Sequence, residues 1–219
     1  MNQLISVIMP VKNGEKYLKE ALLGIQKQNM NVEIIVVNDR STDNSAQIAS
    51  EMGCTVINHE ISKGAVIAKN TGLKQAHGEY IMFHDADDVM NDNVLKTLYD
   101  TLESDPSLGA VMAKVQDFIS PDSENTDPKL IKSTPYYGIF TGAVLMRRQI
   151  FDVIGLFRED IRSGEIIEWS KKMTEHGLKI KKTDMIATNR RIHDHNFGKT
   201  DRQTEFKDYA QILRSRLKK

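Results

Sequence analysis

The chain has 219 residues, with 30 Lys plus Arg set against 30 Asp plus Glu, 40% apolar residues and 27% charged ones. This composition excludes a disordered or collagen-like chain, and the zero net charge excludes a global pull toward nucleic acid or an anionic membrane. A single cysteine, Cys54, excludes an internal disulfide framework and a cysteine-rich zinc site. It sits in an apolar run at 54–57, where it reads as a small buried hydrophobe. No run reaches the ~18 apolar residues of a membrane span. Residues 1–10 lack the basic head and cleavage site of a signal peptide, so the chain is expected to be soluble and cytoplasmic.

The first half alternates between two periods. Residues 4–9 form an apolar run ending at Pro10, and residues 14–28 place Tyr17, Leu18, Ala21, Leu22 and Ile25 at helical spacing. Residues 32–37, VEIIVV, predict a strand buried on both faces. A helix capped by Ser41 or Thr42 is expected through residue 52, then a strand over 54–58, a helix over 63–76 and a strand over 80–83. Strand–helix alternation of this kind implies a parallel sheet covered on both sides, with ligands bound beyond the carboxyl ends of the strands. The three most polar exits are residues 10–13, residues 38–39 and the HDADD run at 84–88.

The second half is less regular. A helix is expected over 94–102 and a strand over 108–118. A polar loop over 120–135 is long enough to be functional or mobile. Further on come a strand over 139–146, short helices at 148–154 and 165–176, strand-like runs over 178–192 and a last helix from about 201 to 217. The organisation expected is one domain over 1–199, with a nucleotide-binding half at 1–105 and a second half at 106–199. A helical extension follows at 200–219.

Alternation along an extended backbone sends Asp85 and Asp87 to the same side. Such a pair either carries a hard divalent ion with a diphosphate or forms a solvated acidic turn with Asp88 or Asn91 capping the next helix. Asp39 either accepts hydrogen bonds from a nucleobase or ribose, or stabilises its own turn. Lys63 and Lys69 are either solvated helix residues or cations facing a diphosphate.

The stretch SVIMPVKNGEKYL at 6–18 resembles the opening of the family-two glycosyltransferases. EIIVVNDRSTD at 33–43, AKNTG at 68–72 and GEYIMFHDADD at 78–88 follow in the expected order. Thr141-Gly142, Arg147-Arg148 and residues 151–157 look like that family's acceptor-side segment. The resemblance implies an α/β fold of the A-type glycosyltransferase class, with a Rossmann-like half, a mostly parallel central sheet and an acceptor-side half. It also implies a nucleotide-sugar donor, most often a UDP-sugar in that family, and hexosyl transfer with inversion.

Carried over by position, Pro10, Val11 and Asn13 line the nucleoside pocket with Glu15 beside them. Asp39 binds the base. Asp85, with Ala86 after it, lies at the ribose and diphosphate, and Lys63 and Lys69 face the phosphates. Asp87 ligates Mn²⁺ or Mg²⁺, Asp85 stands beside it, and His193 in the segment RRIHDHN completes the metal site, with His195 in reserve. Arg40 stands where many relatives have Gly, and Lys69 where Arg is common.

The catalytic base is a departure from the family pattern. Relatives often carry Glu-Asp at the head of the helix near 165, and Ile166 occupies the Asp position here. Glu165 and Glu168 share one helix face and are the candidates, Glu165 first; otherwise they are acids placed to suit the helix dipole. Trp169 beside them stacks on a sugar or belongs to the core. Two other classes compete: a nucleotide-sugar-binding protein that has lost its base, and a nucleotidyltransferase, which the glycine-poor turn at 10–14 disfavours. The acceptor is left open among glycan, lipid-linked, peptide and small-molecule hydroxyls, with no nucleic acid and no transmembrane segment expected. The basic end, Arg214, Arg216, Lys218 and Lys219, reads as a solvated helix end or a peripheral membrane contact.

Overall fold

Residues 3–124, 126–138, 141–196, 207–212 and 214 are described by the computed structural model. The apolar runs of the first half become β1 (Ile5–Val11), β2 (Val32–Asn38), β3 (Thr55–Asn58) and β4 (Tyr80–Phe83). They alternate with α1 (Glu15–Gln26), α2 (Ser45–Glu51) and α3 (Ala65–Gln75). Next come β5 (Val89–Met90), α4 (Val94–Glu103), β6 (Leu108–Ile119), β7 (Val144–Arg147), α5 (Ile150–Ile154), α6 (Glu165–Glu175) and β8 (Lys179–Ile192).

All eight strands form one sheet in the order β3-β2-β1-β4-β7-β6-β8-β5. β1 runs parallel to β2 and β4, and β2 runs parallel to β3. β7 is antiparallel to both β4 and β6, whereas β6 and β8 are parallel. Side chains alternate between two cores. Val7, Met9, Val36 and Met82 join Leu18, Leu22, Leu95 and Leu98 on one face. Ile8, Ile35, Val37, Ile81 and Phe83 join Leu73, Phe157, Trp169 and Met173 on the other. β1, β2 and β4 are thus buried on both faces, whereas β3, at the sheet edge, is partly exposed.

Several boundaries differ from expectation. α2 begins at Ser45, not after Ser41 or Thr42, because residues 41–43 bond to the turn after β1. Ser41 Oγ accepts from Asn13 N at 2.9 Å, and Asp43 Oδ2 accepts from Glu15 N at 3.0 Å. The expected strand over 139–146 is reduced to β7, preceded by a 3-10 turn at Thr141–Ala143, while residues 139–140 lie outside the described residues. β5 was not anticipated. Its two residues pair with Thr188 and Asn189 of β8, an interaction no local pattern encodes. Asn93, in a left-handed conformation, occupies the N-cap position of α4, so neither Asp88 nor Asn91 caps that helix.

Cys54 packs against the first core, and burial pushes its thiol up to about 11, leaving it protonated and inert at neutral pH. No helix among the described residues is long and apolar enough to cross a membrane. The last expected helix is seen at 207–212; residues 197–206 and 215–219, with Arg216, Lys218 and Lys219, lie outside the described residues.

Candidate active site at the carboxyl ends of the strands

The exits of β1, β2 and β4 lie side by side at the carboxyl end of the sheet, because these three strands are parallel neighbours. At the first exit, Pro10 and Val11 complete β1, and Val11 O accepts from Asp39 N at 2.8 Å. Asn13 adopts a left-handed conformation with φ 53°, and its Oδ1 accepts from Thr42 N at 2.8 Å. Glu15 Oε2 accepts from Asn44 N and Nδ2, both at 2.9 Å. Asn13 and Glu15 therefore tie the first two strand exits into one rim.

Asp39 is buried and fully engaged. Its Oδ1 accepts from His59 Nδ1 at 2.8 Å and Lys63 N at 2.7 Å, and its Oδ2 accepts from Ser62 Oγ at 2.7 Å and Gly64 N at 2.8 Å. Burial works against its charge, and these four donors outweigh it, holding the carboxyl below its ordinary range. The carboxylate thus clamps the loop that leads into α3. Lys63 takes part through its backbone, and its side chain is exposed.

Lys69 and Asn70 project inward from α3. Asn70 exchanges hydrogen bonds with the backbone of Phe157, donating to its carbonyl at 2.9 Å and accepting from its amide at 3.0 Å. Lys69 Nζ lies 2.5 Å from Glu165 Oε1, with both side chains buried. Burial opposes the Lys69 charge, and Glu165 and Asp85 outweigh that penalty, raising its pKa. Lys69 thus pairs directly with Glu165 and feels the charge of Asp85. Glu168 takes a different direction and pairs with Arg158 at 3.5 Å and Lys172 at 3.8 Å. Ile166 is buried in the second core, as is Trp169, whose ring lies 6.3 Å from that of Phe151. Trp169 is accordingly a core residue.

The run after β4 concentrates negative charge. Burial raises the Asp85 pKa, with Asp87 and Glu165 adding to the effect and Lys69 opposing it. Asp88 is pushed well above its ordinary value by burial and by the charges of Asp87 and Asp85. Ala86 follows Asp85 at the exit, its Cβ facing the close turn at Gly14. Beyond the end of β8, His193 Nε2 lies 3.0 Å from Asp87 Oδ2. His195 contributes its amide to His193 Nδ1 at 3.2 Å.

Arg191 holds this junction together, a part the sequence pattern did not assign to it. Its amide donates to Asp88 Oδ1 at 2.8 Å, its Nε donates to Asp87 O at 2.9 Å, and its guanidinium pairs with Glu20. The guanidinium is stacked between the rings of Tyr17, 4.6 Å away, and Phe118, 4.7 Å away. Tyr17 in turn lies 4.9 Å from the His193 ring and donates to Asp122 at 2.8 Å. The loop at 120–135 is anchored beside this junction, since Asp194 accepts from Ser123 Oγ at 3.0 Å and Glu124 N at 2.9 Å.

A mostly parallel sheet with its polar strand exits gathered at one end, similar throughout to solved glycosyltransferases, is an A-type glycosyltransferase fold. Residues 6–163 match Glycosyl transferase family 2, and the chain belongs to that family. It is 42% identical over 109 residues to Glycosyltransferase GlyG of Streptococcus pneumoniae, a match covering 47% of this chain and 36% of that protein. Among solved structures it is similar to S. aureus TarS 1-349 in complex with UDP-GlcNAc, with TM-score 0.71 and 23% identity over 88% of this chain and 59% of that one. It is also similar to the mannosyltransferase PcManGT from Pyrobaculum calidifontis in complex with GDP-Man and Mn²⁺. There the TM-score is 0.77 at 18% identity, over 98% of this chain and 64% of that one. The chain thus spans less than two thirds of each of these proteins.

Proposed function

We propose that the chain transfers a sugar from a nucleoside diphosphate donor, a UDP-sugar foremost, to an acceptor hydroxyl with inversion at the anomeric carbon. The observation that carries this reading is the contact of Asp87 with His193 at the exit of β4, with the buried Lys69–Glu165 pair close enough to act on the charge of Asp85. The solved neighbours with UDP-GlcNAc and GDP-Man support a nucleotide-sugar donor.

The donor set suits a hard divalent cation. Burial and the neighbouring charge of Asp87 raise the pKa of Asp85 and of Asp88, and Asp87 with His193 offers an oxygen and a nitrogen ligand. Among the described residues no three His, Cys, Asp or Glu side chains group as a metal site, so the residues that would hold the ion are Asp87 and His193. Bound there, Mn²⁺ or Mg²⁺ would supply positive charge against the departing diphosphate.

The remaining chemistry belongs to the chain. The rim formed by Pro10, Val11, Asn13 and Glu15 receives the nucleoside, with the Asp39-clamped loop as its wall. Lys69 balances the charge of Asp85. Glu165 accepts the acceptor proton as the oxygen–C1 bond forms and the C1–phosphate oxygen bond breaks on the opposite face. Glu165 is preferred to Glu168 because it lies near enough to the β4 exit to act on the charge of Asp85, whereas Glu168 is turned toward Arg158 and Lys172.

The buried Ile166 favours one competing reading, a donor-binding protein without turnover. Hydrolysis of UDP-GlcNAc and GDP-Man over hours, in wild type and Glu165→Gln, separates the two. Metal-dependent hydrolysis that is lost in the variant supports transfer, and nucleotide binding with no turnover toward water or a panel of acceptors supports the binding protein.

A further inference from the structure

α6 starts after Gly164, which has φ 76°, and Ile167 N donates to Gly164 O at 2.9 Å. The two residues before Gly164 bond to a distant segment. Asp208, in the helical segment 207–212, accepts at Oδ2 from Arg162 N at 2.8 Å and Ser163 N at 3.1 Å, and Ser163 Oγ lies 3.4 Å away, 45 residues distant in sequence. Gln211 Nε2 donates to Asp160 Oδ2 at 2.6 Å.

Packing reinforces these bonds. A methyl group on Gly164 would lie 2.7 Å from Tyr209 Cε1 and 3.1 Å from Ile212 Cδ1, so the segment closes directly over the αL turn. Asp208 and Ile212 are buried there. A carboxylate that accepts two backbone amides just ahead of a helix fixes the chain that enters it, and adds charge complementary to the helix dipole.

We propose that Asp208 is a positioning residue for Glu165: the 207–212 segment holds the turn at Arg162 and Ser163 from which α6 starts. The proposal rests on the reading of Glu165 as the base. It makes the far end of the chain part of the catalytic half, because a base displaced by about 1 Å loses on the order of 10²-fold in rate.

The full chain is examined as wild type, Asp208→Ala and Asp208→Asn by hydrogen exchange over residues 160–168, by donor hydrolysis and by UDP titration. Asp208→Ala is expected to speed exchange at the Arg162 and Ser163 amides about tenfold and to slow hydrolysis about tenfold or more, with UDP affinity unchanged. Asp208→Asn, which keeps an acceptor oxygen and the fold, is expected to restore most of both. Exchange unchanged in Asp208→Ala would overturn the proposal, as would hydrolysis unchanged where Glu165→Gln abolishes it. A wild type that binds no UDP would remove the functional reading instead, and exchange would still decide whether Asp208 holds the turn.

Discussion

The β1–β4 half and the β6–β8 half hold their polar groups by different means. In the first, each group directly follows a buried strand and is fixed by a neighbouring loop, as Asp39 is by residues 59–64 and Asn13 by Thr42. In the second, the decisive contacts join residues far apart: Lys69 with Glu165 at a separation of 96 residues, Arg191 with Asp88 at 103 and His193 with Asp87 at 106. The difference teaches that local pattern reveals where a chain exposes polar strand ends, while the meeting of the candidate site groups depends on long-range register.

Replacing the long-range groups should therefore cost the most. Glu165→Gln is expected to reduce donor hydrolysis by about 10²–10⁴-fold with UDP affinity unchanged, whereas Glu168→Gln stays within about threefold. Equal losses in the two variants, measured under single-turnover conditions, would break the contrast between the Lys69-linked acid and the Arg158-linked one.

Arg191→Ala removes a stacked, buried guanidinium and leaves Glu20 and the Asp87 carbonyl without it. Urea unfolding should register a loss of about 3 kcal/mol, together with weaker metal-dependent UDP binding. A variant with wild-type stability would mean that the junction of the two halves is held elsewhere.

Asp39→Asn tests the locally held half and should cost about 2 kcal/mol at neutral pH, since two of four charge-assisted hydrogen bonds must reorganise. The Asp39 pKa in the folded protein lies below its ordinary 3.8, so its contribution is complete above that value and is lost as pH falls through the folded value. The stability gap between wild type and variant should accordingly be constant from neutral pH to about 5 and close in stronger acid. A gap that persists unchanged in acid would assign the loss to geometry and not to charge. Lys96→Ala, which removes an exposed i,i+4 pair with Asp100, should cost no more than about 0.5 kcal/mol, the smallest effect of the series.

The legibility of the sequence follows the same division. VEIIVV reads as a strand because burial on both faces leaves no polar position, and HDADD reads as a strand exit because it ends such a run. The α2 start was misplaced because Ser41 and Asp43 bond to residues 13 and 15 across a strand gap, where a capping rule sees only neighbours. β5 escaped notice because two residues carry no periodicity and pair with β8 almost a hundred positions later. His193 and Glu165 were legible as candidates through resemblance; their placement beside Asp87 and Lys69 required the fold. Asp208 had no local signal, since its acid holds a turn 45 residues earlier.

The central claim is that the acidic exit of β4 and the histidine beyond β8 together form the donor site. It is tested most directly by calorimetric titration of UDP, with and without Mn²⁺, into wild type and Asp87→Ala. The account predicts Mn²⁺-dependent binding in the wild type that falls about 100-fold or more in the variant. UDP affinity that is the same with and without Mn²⁺, and the same in Asp87→Ala as in wild type, would contradict it.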